Sequence, residues 1–163
     1  MEINKILERI ARWEPRYVTV TGGEPLAQRE CLELLKNLCD AGYEVSLETS
    51  GALDVCEVDK RVVKVMDIKA PGSGESEKNI YRNISCLNSN DQIKFVLSGR
   101  EDYDWAKNIL NEYNLTGKCE VLFSPVYNRL NMTELAEWIL EDKLNVRFQL
   151  QLHKLLWNEE RGR

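Results

Sequence analysis

Tyr17-Val18-Thr19-Val20-Thr21-Gly22-Gly23-Glu24-Pro25 is the stretch from which the fold follows. Its first four residues are β-branched or aromatic and predict a short strand, cut off by two glycines and a proline. From about Gln28 to Ala41, Leu32, Leu35, Leu38 and Cys39 fall on one helical face, and Gly42 stands where a helix closes on a left-handed residue. Strand, polar turn and amphipathic helix make one βα unit. Upstream, Ile3, Ile6, Leu7, Ile10 and Trp13 recur every three or four residues, predicting a helix over 3–13 that ends before Pro15.

Downstream the unit repeats. Strands are predicted at 44–47, 62–66, 92–97, 120–123 and 146–150, with helical patterns at 76–87, 102–113 and 133–141, the last opened by a capping box of Asn131 and Glu134. Parallel neighbours need such long crossovers, so the fold class is α/β with a mostly parallel sheet. Six strands fall short of a closed eight-stranded barrel, which leaves an open or partial one. No linker, repeat or charge block divides the 163 residues, so 1–163 reads as a single domain.

Composition removes several classes of function. At 43% hydrophobic and 30% charged residues, with nine Gly and four Pro, the chain is neither disordered nor collagen-like. A net charge of -5 gives no general attraction to nucleic acid or to an anionic membrane. No apolar run approaches the roughly 20 residues of a spanning helix. Met1-Glu2-Ile3-Asn4-Lys5 also lacks the layout of a signal peptide, so the expected location is cytoplasmic. Cys31, Cys39, Cys56, Cys86 and Cys119 are scattered with no C-x-x-C, which predicts reduced, mostly buried thiols rather than disulfides or a zinc site.

In a parallel α/β protein the functional rim lies at the C-terminal ends of the strands. There the sequence places Thr21 to Pro25, Glu48-Thr49-Ser50-Gly51, Asp67-Ile68-Lys69, Ser124-Pro125 and Gln151-Leu152-His153-Lys154. Gly22 and Gly23 let backbone approach a ligand, and their N–H groups suit a carboxylate, while Glu24 suits an ammonium. Together they fit an amino-acid zwitterion, although a Gly-Gly pair also serves as a plain tight turn. Glu48 reads as an anchor for a ribose or base, or as a solvated edge carboxylate. Lys69 reads as a Schiff-base or phosphate-binding lysine, or as half of an ion pair with Asp67 or Glu48. His153 is the only histidine, so imidazole chemistry near neutral pH rests on it.

This ordered set, with the loop Ala70-Pro71-Gly72-Ser73-Gly74 and the segment Leu122 to Pro125, resembles the radical S-adenosylmethionine superfamily. Any one of these motifs is weak alone, and the ordered set from about Tyr17 to Trp157 carries the resemblance. Within the superfamily the resemblance is to the 7-carboxy-7-deazaguanine synthase family. It implies a partial (β/α)6-type barrel lacking its first strand and a carbon-nitrogen lyase activity. The implied reaction converts 6-carboxy-5,6,7,8-tetrahydropterin to 7-carboxy-7-deazaguanine and ammonia, on the route to queuosine and other 7-deazapurines. The implied cofactors are S-adenosylmethionine, a 4Fe-4S cluster and Mg2+. By position, Gly22, Gly23 and Glu24 hold the methionyl group, and Glu48, Ser50 and Lys69 face the cofactor's sugar or the substrate. Thr21, Gln151, His153 and Lys154 face the pterin. The partners implied are a small pterin substrate and a second copy in a homodimer, with no nucleic acid and no membrane.

One departure is large. The family binds its cluster with C-x3-C-x2-C, and this spacing is absent, as is the threonine or serine expected near it as the Mg2+ ligand. The expectation is therefore an N-terminally truncated chain, inactive by itself, with an unpaired sheet edge prone to self-association. Two other readings remain: a non-catalytic module that binds S-adenosylmethionine or a pterin or acts as a partner subunit, and an aldolase-like barrel fragment with Lys69 as Schiff-base lysine.

Overall fold

The computed structural model describes residues 2–157, without the side chains of His153, Leu155 and Trp157. Six strands form where short β-branched or aromatic runs stand. These are β1 (Tyr17–Val20), β2 (Glu44–Thr49), β3 (Val63–Asp67), β4 (Gln92–Leu97), β5 (Glu120–Pro125) and β6 (Arg147–Phe148). They lie side by side in chain order and every neighbouring pair is parallel. Such a run of same-direction crossovers is the winding of a (β/α) barrel, here left open with β1 and β6 as its edges.

The two faces of the sheet differ because successive residues of a strand point to opposite sides. On one face Val45, Leu47, Met66, Ile93, Phe95, Leu97, Val121 and Phe123 are buried. They share a core with Leu35 and Leu38 of α2 (Cys31–Asp40), Tyr103, Ala106 and Leu110 of α3 (Arg100–Glu112), and Leu135 and Ile139 of α4 (Met132–Glu141). Phe95 and Phe123 meet edge to face at 5.6 Å, and Tyr103 joins Phe123 at 5.9 Å. Tyr103 also places its hydroxyl 2.7 Å from both the Trp138 carbonyl oxygen and Asp142 Oδ2, tying α3 to α4. Residues of opposite parity, Glu48, Asp67 and Lys94 among them, occupy the other, concave face. That face mixes these charged groups with Val63, Val65, Val96 and Leu122.

A buried ion pair fixes the opposite end of the sheet. Lys64 Nζ lies 3.0 Å from Asp91 Oδ2, and that carboxylate also accepts from the backbone N–H groups of Lys64 and Asn88. Both side chains are excluded from water, at 3% and 0% exposure, so every lone pair must find a partner within the protein.

Four expectations need correction. The helix over 3–13 stops earlier, as α1 (Ile3–Ala11), and leaves Trp13 81% exposed. Residues 76–87 form two 3-10 turns, Ser76–Lys78 and Tyr81–Cys86, instead of a helix. Asparagine side chains outcompete helical bonding there: Asn83 Nδ2 donates to the carbonyls of Gly51 and Leu53, and its Oδ1 accepts from Val55 N. The last strand keeps two of the five expected residues, 147–148. Finally, Cys56 and Cys86 form a disulfide, because the Asn83 clamp brings the 51–62 loop against the second turn, with the two Cα atoms 5.2 Å apart. Cys31, Cys39 and Cys119 are buried free thiols, as expected.

Candidate active site at the strand C-termini

The concave face opens at the ends of β1, β2 and β3 into a cavity of about 130 Å³, walled by Thr21, Gly22, Gly23, Glu48, Thr49, Ser50, Asp67, Lys69 and Lys94 together with Val65. Three separate βα turns thus converge on one place. The Gly22 backbone has φ +140°, a conformation that disfavours a side chain, and a Cβ built on Gly22 or Gly23 would meet no protein atom within 4 Å. The glycines therefore border open room. Glu48 accepts from Thr21 Oγ1 at 3.2 Å.

Lys69 is held on three sides. Its ammonium sits 2.7 Å from Asp67 Oδ2, its N–H donates to Asn79 Oδ1, and its carbonyl accepts from Asn79 Nδ2, each of the last two at 2.9 Å. The loop that follows is anchored by Asp102, which is buried and accepts from Gly72 N at 2.8 Å and from Ser98 N at 2.9 Å. A Cβ on Gly72 would fall 2.4 Å from Ser98 Oγ, so only glycine fits that approach.

Glu24 stands beside the cavity. Its carboxylate is absent from the cavity wall and is engaged by the loop after β2. Oε1 accepts from Leu26 N and Thr49 Oγ1, and Oε2 from Ser50 N at 2.8 Å and Ser50 Oγ at 2.5 Å. Burial raises the Glu24 pKa, but the Ser50, Thr49 and Leu26 donors outweigh it and hold the carboxyl below the usual carboxylate range. Glu24 is a strut that locks the Gly22-Gly23 turn to the loop carrying Ser50. Ser50 in turn gives its hydroxyl proton to that strut. Gly51 closes the loop at φ +69°, where a Cβ would press on the Met66 side chain at 2.9 Å.

Of the later residues, Gln151 lines a neighbouring cavity of about 360 Å³ beside Pro125 and Tyr127, beyond the end of β5. Lys154 belongs to α5 (Leu152–Trp157), where its N–H donates to the Gln151 carbonyl, and it walls neither cavity. The expectation for the His153 side chain lies outside the described residues. Sequence reasoning missed Lys94. The signal was available, because the period of two along Gln92–Leu97 puts Lys94 on the face opposite Ile93 and Phe95.

The donor set does not fit a cluster or a divalent metal. Among the described residues no group of three or more His, Cys, Asp or Glu could hold a metal ion. Cys56 and Cys86 are bonded to each other, and the other three thiols are buried.

No protein-family model matches the chain. Two solved structures share its architecture. QueE from Escherichia coli covers 93% of this chain and 64% of its own, with a TM-score of 0.73 at 21% identity. Streptococcus suis SuiB bound to S-adenosylmethionine covers 90% of this chain and 41% of its own, with a TM-score of 0.58 at 14% identity. The open parallel sheet with its strand-end site is thus the fold that these two proteins share. The 7-carboxy-7-deazaguanine synthase of Chlorobaculum tepidum is 44% identical over 163 residues, which span 98% of this chain and 74% of that protein. The chain belongs to the 7-carboxy-7-deazaguanine synthase family.

Proposed function

We propose that the concave face binds S-adenosylmethionine and a carboxylated pterin, for conversion of 6-carboxy-5,6,7,8-tetrahydropterin to 7-carboxy-7-deazaguanine and ammonia. The observation that carries this is the meeting of Gly22-Gly23, Thr21, Glu48 and the Asp67–Lys69 pair in one polar cavity, in a chain of that family. When bound, S-adenosylmethionine supplies the family's radical chemistry. The chain's own residues bind and orient. Gly22 and Gly23 leave room and backbone N–H groups for the methionyl end, with Glu24 bracing the turn from behind. Glu48, Ser50 and Lys69 face the cofactor's sugar or the substrate, and Thr21, Gln151, His153 and Lys154 belong to the pterin side. In this reading none of the five cysteines ligates the cluster, since two are bonded to each other and three are buried.

In this reading the protein works in the cytoplasm as a homodimer. No described helix is long and apolar enough to cross a membrane, and the exposed Trp13 and Tyr17 beside the β1 edge offer apolar surface to a second copy. The aldolase reading draws no support, since Lys69 is committed to Asp67.

Gly23→Val tests the binding face. Its added Cβ meets no protein atom, so circular dichroism is expected to stay unchanged while S-adenosylmethionine affinity, by calorimetric titration, falls about tenfold or more. Unchanged affinity would remove the Gly-Gly assignment.

A further inference from the structure

We infer that Lys94 and Asp67 form a donor–acceptor pair that reads the lactam edge of the substrate ring, Lys94 donating to the ring carbonyl and Asp67 accepting from the adjacent N–H. This rests on the pterin reading above. The two residues are register partners on β4 and β3, so their side chains leave the same concave face about 4.8 Å apart, and both line the site cavity. Asp67 uses Oδ2 for Lys69, while Oδ1 is buried with no hydrogen-bond partner among the described residues. A buried, unsatisfied acceptor of this kind marks a place where a ligand donor is expected.

Lys94 is its complement. Two neighbouring lysines are neutralised, Lys64 of β3 by Asp91 and Lys69, just past β3, by Asp67. No ion pair is described for Lys94, which leaves a cation on the cavity wall beside a half-engaged carboxylate. The combination selects by charge. A phosphate or carboxylate would bring its negative oxygens against Asp67 Oδ1, whereas a neutral N–H next to a C=O satisfies both groups at once. The lactam edge of a 2-amino-4-oxo ring has that order, and a 2,4-diamino ring does not.

The test is a fluorescence titration of the full chain, with S-adenosylmethionine present, using 6-carboxypterin and its 2,4-diamino counterpart as probes. The wild-type chain is expected to prefer the oxo ring by on the order of tenfold or more, the size of one charge-assisted hydrogen bond. Lys94→Met is expected to erase that preference by weakening the oxo probe alone, and Lys94→Arg to keep it. If Lys94→Met melts well below wild type, Lys94→Leu is read in its place. A preference that survives in the Met or Leu variant overturns the Lys94 assignment and leaves the pterin reading intact. Failure of the wild-type chain to bind either probe overturns the pterin reading, and this inference with it.

Discussion

Glu24→Gln should destabilise the fold and flatten its response to acid. The carboxylate collects four donors, Leu26 N, Thr49 Oγ1, Ser50 N and Ser50 Oγ, and the amide of glutamine turns one acceptor oxygen into a donor that faces other donors. Charge-assisted bonds contribute about 1.5–3 kcal/mol each, but these share one partly exposed group, so the sum must be discounted for solvent screening. The expected loss is about 2–3 kcal/mol at pH 7, measured by urea denaturation. For a chain of this length that is a fall in Tm of roughly 5–10 °C. The native pKa lies below the ordinary value of 4.5, so the folded protein binds fewer protons than the unfolded one as pH drops through this range. The Glu24 contribution is therefore fully present above about pH 4.5 and is lost as pH falls toward its native value. The difference between wild type and Glu24→Gln should shrink across that window. A variant within about 0.5 kcal/mol of wild type at pH 7, or a gap that widens on acidification, would refute the strut role.

Two further outcomes are expected. Asp91→Ala strands the Lys64 ammonium at 3% exposure and should cost about 3–5 kcal/mol in urea denaturation, whereas the pair Lys64→Met with Asp91→Leu should recover most of it. The unreduced protein, opened in denaturant, should present three of its five cysteines to a thiol reagent, and Cys56→Ser should lower stability by about 2–4 kcal/mol relative to the oxidised chain.

Much of the frame was legible because it rests on local signals. The strands at 17–20 and 92–97 form over the residues that their β-branched and aromatic side chains predict. The Asn131 cap forms as its residue type requires, accepting from Thr133 N. Convergence of Thr21, Gly22, Gly23, Glu48, Ser50 and Lys69 followed from parallel strand order alone. What stayed hidden depends on distant partners. Residues 76–87 carry a helical pattern, yet Asn79 and Asn83 find backbone groups ten and about thirty residues away that a local reading cannot see. The Cys56–Cys86 bond depends on the same clamp. The residue type of Glu24 suits an ammonium, and the folded loop adds four protein donors to its carboxylate that no local pattern announces.

The in-order sheet also bears on how the molecule is made. Each strand pairs with the one synthesised just before it, at separations of 17 to 28 residues, and the disulfide closes over 30. No strand has to wait for a partner from the far end of the chain, so loop-closure entropy is met in small equal steps. Such a chain can assemble vectorially, one βα unit docking on the last as it leaves the ribosome. The newest strand is then always the sticky edge, and it stays so until the next crossover arrives to cover it.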